Sequence, residues 1–317
     1  MKSAERQGIA RFGLALILLA VSGVALAQTL YKYRGGDGEW IYSDRPPPAD
    51  EAVEVRPLER GLGRPEVRVS DRLSDRQILL IASNELYAPV EVILALDELR
   101  NVGYPPPELS LRWVVPARSS AELLRLDALE EGGAPGVRYR FVWLPGDPAS
   151  EHRPERPYRA PFAVANSYTV SQAFPLTITH TTVDSRYAVD IAMPIGTDVH
   201  AARGGTVVEV SGTNYRGGFD TSRSGADANL VRILHDDGTF AVYAHLNWNT
   251  IRVRPGDTVE RGQYIADSGN TGFSSGPHLH FAVMRNRNLR MDSLPFVFEG
   301  PNGTEIVPQT GLELRAY

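Results

Sequence analysis

The chain is 317 residues long, too long for one ordinary hydrophobic core, and is expected to divide into two or three folding units of roughly 100–150 residues. A formal net charge of −5 offers no basic surface for nucleic acid, and 42% hydrophobic with 22% charged residues excludes a chain disordered throughout. With no cysteine, disulfides and thiolate metal ligands are excluded, so any metal site must draw on His, Asp or Glu.

At the N terminus, Lys2, Arg6 and Arg11 precede the apolar run FGLALILLAVSGVALA, which closes on Ala25-Leu26-Ala27, the small-x-small form of a signal-peptidase site. Residues 1–27 are therefore expected to be a signal peptide and the working chain to be periplasmic or secreted. An uncleaved leader would instead give weak membrane association. Residues 28–65 read as a small β-hairpin module and linker. LYKYRGGDGEWIYSDR alternates aromatic and polar positions around Gly35-Gly36-Asp37-Gly38, and Pro46-Pro47-Pro48 ends the pattern. This stretch resembles a small N-terminal module of exported bacterial proteins that has no assigned chemistry.

Residues 66–162 give short β-like runs, VRVS, QILLIASN, PVEVILALDEL, LRWVVP and RYRFVWLPG, separated by turn signals at the spacing of an Ig-like β-sandwich. Such a unit would space or shield the remainder. Two stretches inside it, ALDELRNVG and SSAELLRLDALEE, fit short helices or strands equally well. His152, in the Pro-rich exit EHRPERPYRAPF, is expected to be a solvated loop residue. Residues 163–317 change to dense short strands with glycine turns and almost no helical periodicity, which predicts an antiparallel β domain in a mainly β protein.

That last segment holds the chemistry. Successive side chains of a strand alternate faces, so His278 and His280 of SSGPHLHF share one face while Leu279 and Phe281 enter the core. By itself the pair fits a polar sheet face as well as a metal site. In RYAVDIAMP, Asp190 shares a face with Ala188 and Ala192, small neighbours that leave room for an ion. His245 ends the alternating run TFAVYAHL, and His180 lies ten residues before Asp190. A catalytic zinc takes three protein ligands and keeps one position for water, so the chain offers more imidazoles than one ion needs. His200, in TDVHAARGG, and His235, in ILHDDGTF, sit at strand ends beside turns and are expected to be structural.

His180 together with RYAVDIAMPIGTDVHAARGGTVV, NLVRILHDDGTFAVYAHL, VRPGDTVERGQYIADSGNTG and SSGPHLHF, in this order over about residues 165–290, resembles the lysostaphin/LytM-type zinc metallopeptidases. Those enzymes are peptidoglycan endopeptidases. The resemblance implies one zinc ion per chain with Asp190 and His280 as ligands, and His278 and His245 as catalytic residues. The commonest pattern has a histidine four residues before the aspartate, where this chain has Arg186, whose guanidinium has no lone pair to offer. A subgroup with a Gln-x-Phe stretch and a longer loop matches QAFPLTITHTTVDSRYAVD through Gln172, Phe174 and His180, which makes His180 the third ligand.

Without an HExxH motif there is no glutamate base of that class, so imidazole must replace it. His278 is the better candidate for taking a proton from the zinc-activated water, with His245 donating to the oxyanion or leaving amine, although the two roles are interchangeable at this level. The implied substrate is the peptide of cell-wall cross-links, D-Ala to diaminopimelate where the wall is thin. The segment 212–227, GTNYRGGFDTSRSGAD, would shape the groove or serve as a spacer. A non-enzymatic relative that activates a wall amidase, or binds peptidoglycan through the sandwich, is the alternative.

Overall fold

The structure, a computed structural model, describes residues 29–34, 40–43, 54–57, 65–74, 76–106, 109–218 and 228–317. The expected leader, the glycine turn at 35–38 and most of the 212–227 segment lie outside the described residues. Two compact units are present, Met1–Arg64 and Pro65–Tyr317. In the first, strands Thr29–Arg34 and Trp40–Ser43 pair antiparallel, as the alternating pattern predicts. A third strand, Glu54–Pro57, pairs with the other edge of Thr29–Arg34, so the segment expected to be linker contains a sheet strand.

The second unit begins with two three-stranded antiparallel sheets. One runs in the order Val67–Leu73, Gln77–Asn84, Ser119–Asp127; the other in the order Arg112–Val115, Val90–Arg100, Gly136–Pro145. Ile78, Leu80 and Ala82 alternate into the space between them and meet Val90, Val92 and Leu94 from the facing sheet. The two ambiguous stretches are strands here. In Val90–Arg100 the β-branched Val90, Val92 and Ile93 fit the pleat, and the residues beyond Leu94 continue the ladder with the long strand Gly136–Pro145.

Residues 167–315 build a nine-stranded sheet. Its order is Thr258–Val259, Gly205–Ser211, Leu230–Leu234, Phe240–Ala244, Leu279–Asn286, Val189–Ile191, Ser167–Gln172 and Glu313–Arg315, with Met291–Ser293 paired beside Leu279–Asn286. Its ladders are antiparallel. One face carries the core, where Val189, Ile191, Val231, Ile233, Tyr243, Phe281 and Val283 pack with Phe162, Val199 and Phe298. Each large apolar side chain buried there contributes roughly 1.5–3 kcal/mol. The fully buried Tyr243 hydroxyl is satisfied by the Ala202 amide at 2.7 Å. The protein is mainly β, and among the described residues no helix is long and apolar enough to cross a membrane.

The sandwich docks on one end of this sheet. Tyr87 and Ala88 pack with Val208, Leu234, Phe240 and Met291. Glu91, fully buried, accepts hydrogen bonds from Asn286 Nδ2 at 2.9 Å and the Leu289 amide at 2.8 Å, and Arg112 lies 2.9 Å from its other oxygen. The register pairs Phe240 with Met284 and Ala244 with His280, so docking and histidine ends lie about four residues, roughly 13 Å, apart along the strands. The histidines therefore lie at the opposite end of these strands from the docked sandwich.

Candidate functional site

Strand alternation and register assemble the site. Leu279 and Phe281 are fully buried in the core, which turns His280 to the other face, and the ladder sets Asp190 directly opposite His280. Val189 and Ile191 anchor the short Asp190 strand from below, while Ala188 packs against Ala244 and Ala282 on the site's side of the sheet. His245 follows Phe240–Ala244 with φ of 60°, a left-handed conformation that costs a non-glycine residue on the order of 1 kcal/mol or more and turns its ring across the strand end. The turn is held by the Leu246 amide on the Asn229 carbonyl, and by Asn229 Nδ2 and Thr271 Oγ1 on the Leu246 carbonyl.

One carboxylate oxygen, Asp190 Oδ1, is the centre. His280 Nδ1 lies 2.9 Å from it, His180 Nε2 3.2 Å and His278 Nε2 3.8 Å. The ligand atoms of His180, Asp190 and His280 all fall within 4.8 Å of one another. Tetrahedral zinc ligands at about 2.0–2.2 Å stand about 3.3–3.6 Å apart, so this donor set fits such an ion. His180 is ordered from its far side, Nδ1 donating to the Ala188 carbonyl at 3.1 Å, which turns its Nε2 toward Asp190. Burial opposes ionisation of Asp190, yet the hydrogen bonds and charges of His180 and His280 outweigh it and hold the carboxyl well below the usual range.

The second pair of rings stands beside this set. His245 and His278 are 4.5 Å apart between centroids, and His245 is 5.9 Å from His280. Each uses Nδ1 on a backbone carbonyl, His245 on Thr271 at 2.7 Å and His278 on Gly276 at 2.8 Å, so each presents an Nε2 lone pair as a proton acceptor. Burial pushes the His245 imidazole down to about 4, with neighbouring His278 acting in the same direction. His245 is therefore neutral near pH 7.

The structure brings together all five sequence-selected residues, His180, Asp190, His245, His278 and His280, and separates the other histidines from them. His200 Nδ1 bonds the Gly262 carbonyl at 2.7 Å and its ring meets Tyr264. His235 is buried with Nδ1 on the Gly204 carbonyl at 2.8 Å. His152 differs from the expectation. It is half-buried, stacks on Tyr158 and hydrogen-bonds its hydroxyl at 3.2 Å, because the Pro-rich exit lies against the sheet domain instead of standing in solvent. Asn229, Thr271 and Ser274 were not singled out from the sequence. Ser274 bonds His278 Nδ1 at 3.2 Å and lies within the quoted SSGPHLHF, whereas nothing local marks Asn229.

Residues 184–292 match the model of Peptidase family M23, and residues 17–60 match a domain of unknown function, DUF4124. Glycyl-glycine endopeptidase ALE-1 of Staphylococcus capitis is 36% identical over 140 residues, 42% of this chain and 35% of that protein. Peptidoglycan DD-endopeptidase ShyA of Vibrio cholerae serotype O1 is 37% identical over 115 residues, 35% of this chain and 24% of that protein. Only about a third or less of these curated relatives' length is therefore spanned. The solved catalytic domain of lysostaphin from Staphylococcus simulans is 34% identical, covering 38% of this chain and 80% of that domain, with a TM-score of 0.28. Asp190, His245, His278 and His280 fall inside the matched segment, and His180 shortly before it. Residues 184–292 thus form a Peptidase family M23 domain within the chain.

Proposed function

We propose that this chain is an exported zinc metalloendopeptidase that hydrolyses peptide cross-links of peptidoglycan, with His180, Asp190 and His280 holding one zinc ion and His245 and His278 moving protons. One observation carries this reading: five side chains drawn from residues 180 to 280 converge at one end of the sheet, with the ligand atoms of His180, Asp190 and His280 within 4.8 Å of one another and two Nε2 acceptors beside them. A zinc ion held there would acidify a water molecule and polarise the scissile carbonyl.

The chain's own residues supply the proton handling. His278 Nε2, near Asp190 and with Nδ1 committed to Gly276, accepts the proton of the attacking water. The proton taken by His278 passes to His245 Nε2, whose ring is 4.5 Å away between centroids, and because burial disfavours the charged form of His245 it is readily surrendered to the leaving amine. The positive φ of His245 and the Thr271 bond hold that ring beside His278. The alanine pocket of Ala188, Ala244 and Ala282 leaves space around Asp190.

The names of the relatives cover two kinds of wall bond, glycyl-glycine and DD cross-links, and both support a wall peptide as substrate. Mass spectrometry of the products from defined muropeptide dimers, one joined through D-Ala and diaminopimelate and one through oligoglycine, tests the proposal. The expected result is conversion of a dimer to monomers that a chelator abolishes and zinc restores. Intact dimers in the presence of bound zinc would overturn it in favour of a non-enzymatic factor acting through a wall amidase.

A further inference from the structure

Gln172 has no part in the chemistry described above, yet its side-chain amide is the most fully used polar group near the site. It lies at the end of Ser167–Gln172, directly across the ladder from Asp190, where a register shift between Val170 and Gln172 turns it toward the carboxylate. Nε2 donates to Asp190 Oδ2 at 2.7 Å and to Thr179 Oγ1 at 2.9 Å. Oε1 accepts the Thr179 amide at 2.8 Å and also the Ile178 amide. The residue is buried. Both amide protons and both carbonyl lone pairs are thus engaged, and the orientation is fixed by chemistry: a flipped amide would set its NH₂ against two backbone N–H donors.

We propose that Gln172 is a positioning residue of the metal site, one planar amide that sets two ligands at once. On the Asp190 side, its donor occupies Oδ2 and leaves Oδ1 facing the imidazoles, which favours a single-oxygen ligand. On the other side, its acceptor staples residues 178 and 179 immediately before His180, at the end of a loop that leaves the strand at Ala173. Backbone distance alone does not place His180, because this chain has a long loop between it and Asp190; the staple closes that loop across the sheet. A neutral donor suits the task, since a lysine or arginine at the same place would cancel the carboxylate charge that attracts a cation. Ala188, whose carbonyl orients the His180 ring, completes the support from the opposite side. The proposal rests on the reading that His180, Asp190 and His280 hold zinc.

Equilibrium dialysis of the full chain against zinc, with the visible absorption of the cobalt-substituted protein as a report on ligand geometry, tests this. Gln172→Met removes all four hydrogen bonds at similar side-chain length and is expected to weaken zinc binding about 10–100-fold and alter the cobalt spectrum. Thr179→Val, which removes one partner of the amide while leaving Asp190 and the two N–H bonds in place, is expected to stay within about threefold of the wild type. Should Gln172→Met fail to fold, Gln172→Asn retains the amide but is one methylene too short to span both sides, and carries the same expectation. Wild-type zinc affinity and an unchanged cobalt spectrum in the folded Gln172 variants would overturn the positioning role. A wild-type chain that itself binds no zinc would instead overturn the metal site on which the role depends.

Discussion

At the residue scale the two histidines of SSGPHLHF divide by geometry: His280 Nδ1 is 2.9 Å from Asp190 Oδ1, and His278 Nε2 is 3.8 Å from it with Nδ1 tied to Gly276. His280→Ala is expected to lose both bound zinc and hydrolysis, and His278→Ala to keep most zinc while losing activity by at least about 100-fold; equal metal loss, by elemental analysis, would contradict the division. His235 sets a separate acid limit. Burial, first, pushes its imidazole down to about 4, against about 6.5 when exposed, so the folded chain binds fewer protons than the unfolded one. Its contribution to stability is complete above about pH 6.5 and is lost as pH falls toward 4, on the order of 3 kcal/mol over that window. Urea midpoints at pH 7 and pH 4.5 should fall in the wild type and fall less in His235→Gln. Strand alternation puts His278 and His280 on one face and Asp190 between small neighbours, but it is the family resemblance that selects these residues together with His245 and His180. The contacts of Gln172 and Asn229 were not legible in the sequence, since each depends on a cross-strand register or a loop return that no local pattern encodes.

At the element scale, one short ladder links the 212–227 segment to the site. Gly217–Gly218 pairs parallel with Gly272–Phe273, just after Thr271 and just before Ser274, the partners of His245 and His278. Asn229 clasps the base of that arm by accepting the Asn214 amide at 2.9 Å and donating to the Asn214 carbonyl at 2.6 Å. A Cβ at position 217 would lie 1.6 Å from the Asn270 carbonyl oxygen, so the chain approaches too closely for any residue but glycine. Gly217→Ala is therefore expected to displace the arm and lower kcat/KM about 10–100-fold with zinc content unchanged, measured on muropeptide dimers. Unaltered turnover would show that the ladder does not bear on catalysis. The β character of residues 163–317 was plain from alternation, while ALDELRNVG and SSAELLRLDALEE were ambiguous because their charged residues follow both periods and only the ladders to Gly136–Pro145 and Gln77–Asn84 decide them.

At the scale of the whole molecule, the sandwich and the sheet domain share a buried contact at the end away from the histidines. Phe240 is fully buried between Ala88, Val208 and the sheet, so Phe240→Ala is expected to destabilise the unit Pro65–Tyr317 by about 3–5 kcal/mol in chemical denaturation, with zinc affinity retained while the chain is folded. The sequence separated the two β regions but carried no sign of this contact, whose key group, Glu91, sits in a strand that otherwise reads as apolar. The proposed hydrolysis of cross-links would take place at the histidine end, away from this contact. The most direct test of that role is to titrate zinc into the metal-free chain from zero to one equivalent while following release of monomers from a defined muropeptide dimer. Activity should rise in proportion to bound zinc and stop rising at one equivalent; cleavage independent of zinc, or none with the ion fully bound, would contradict a zinc-dependent hydrolase.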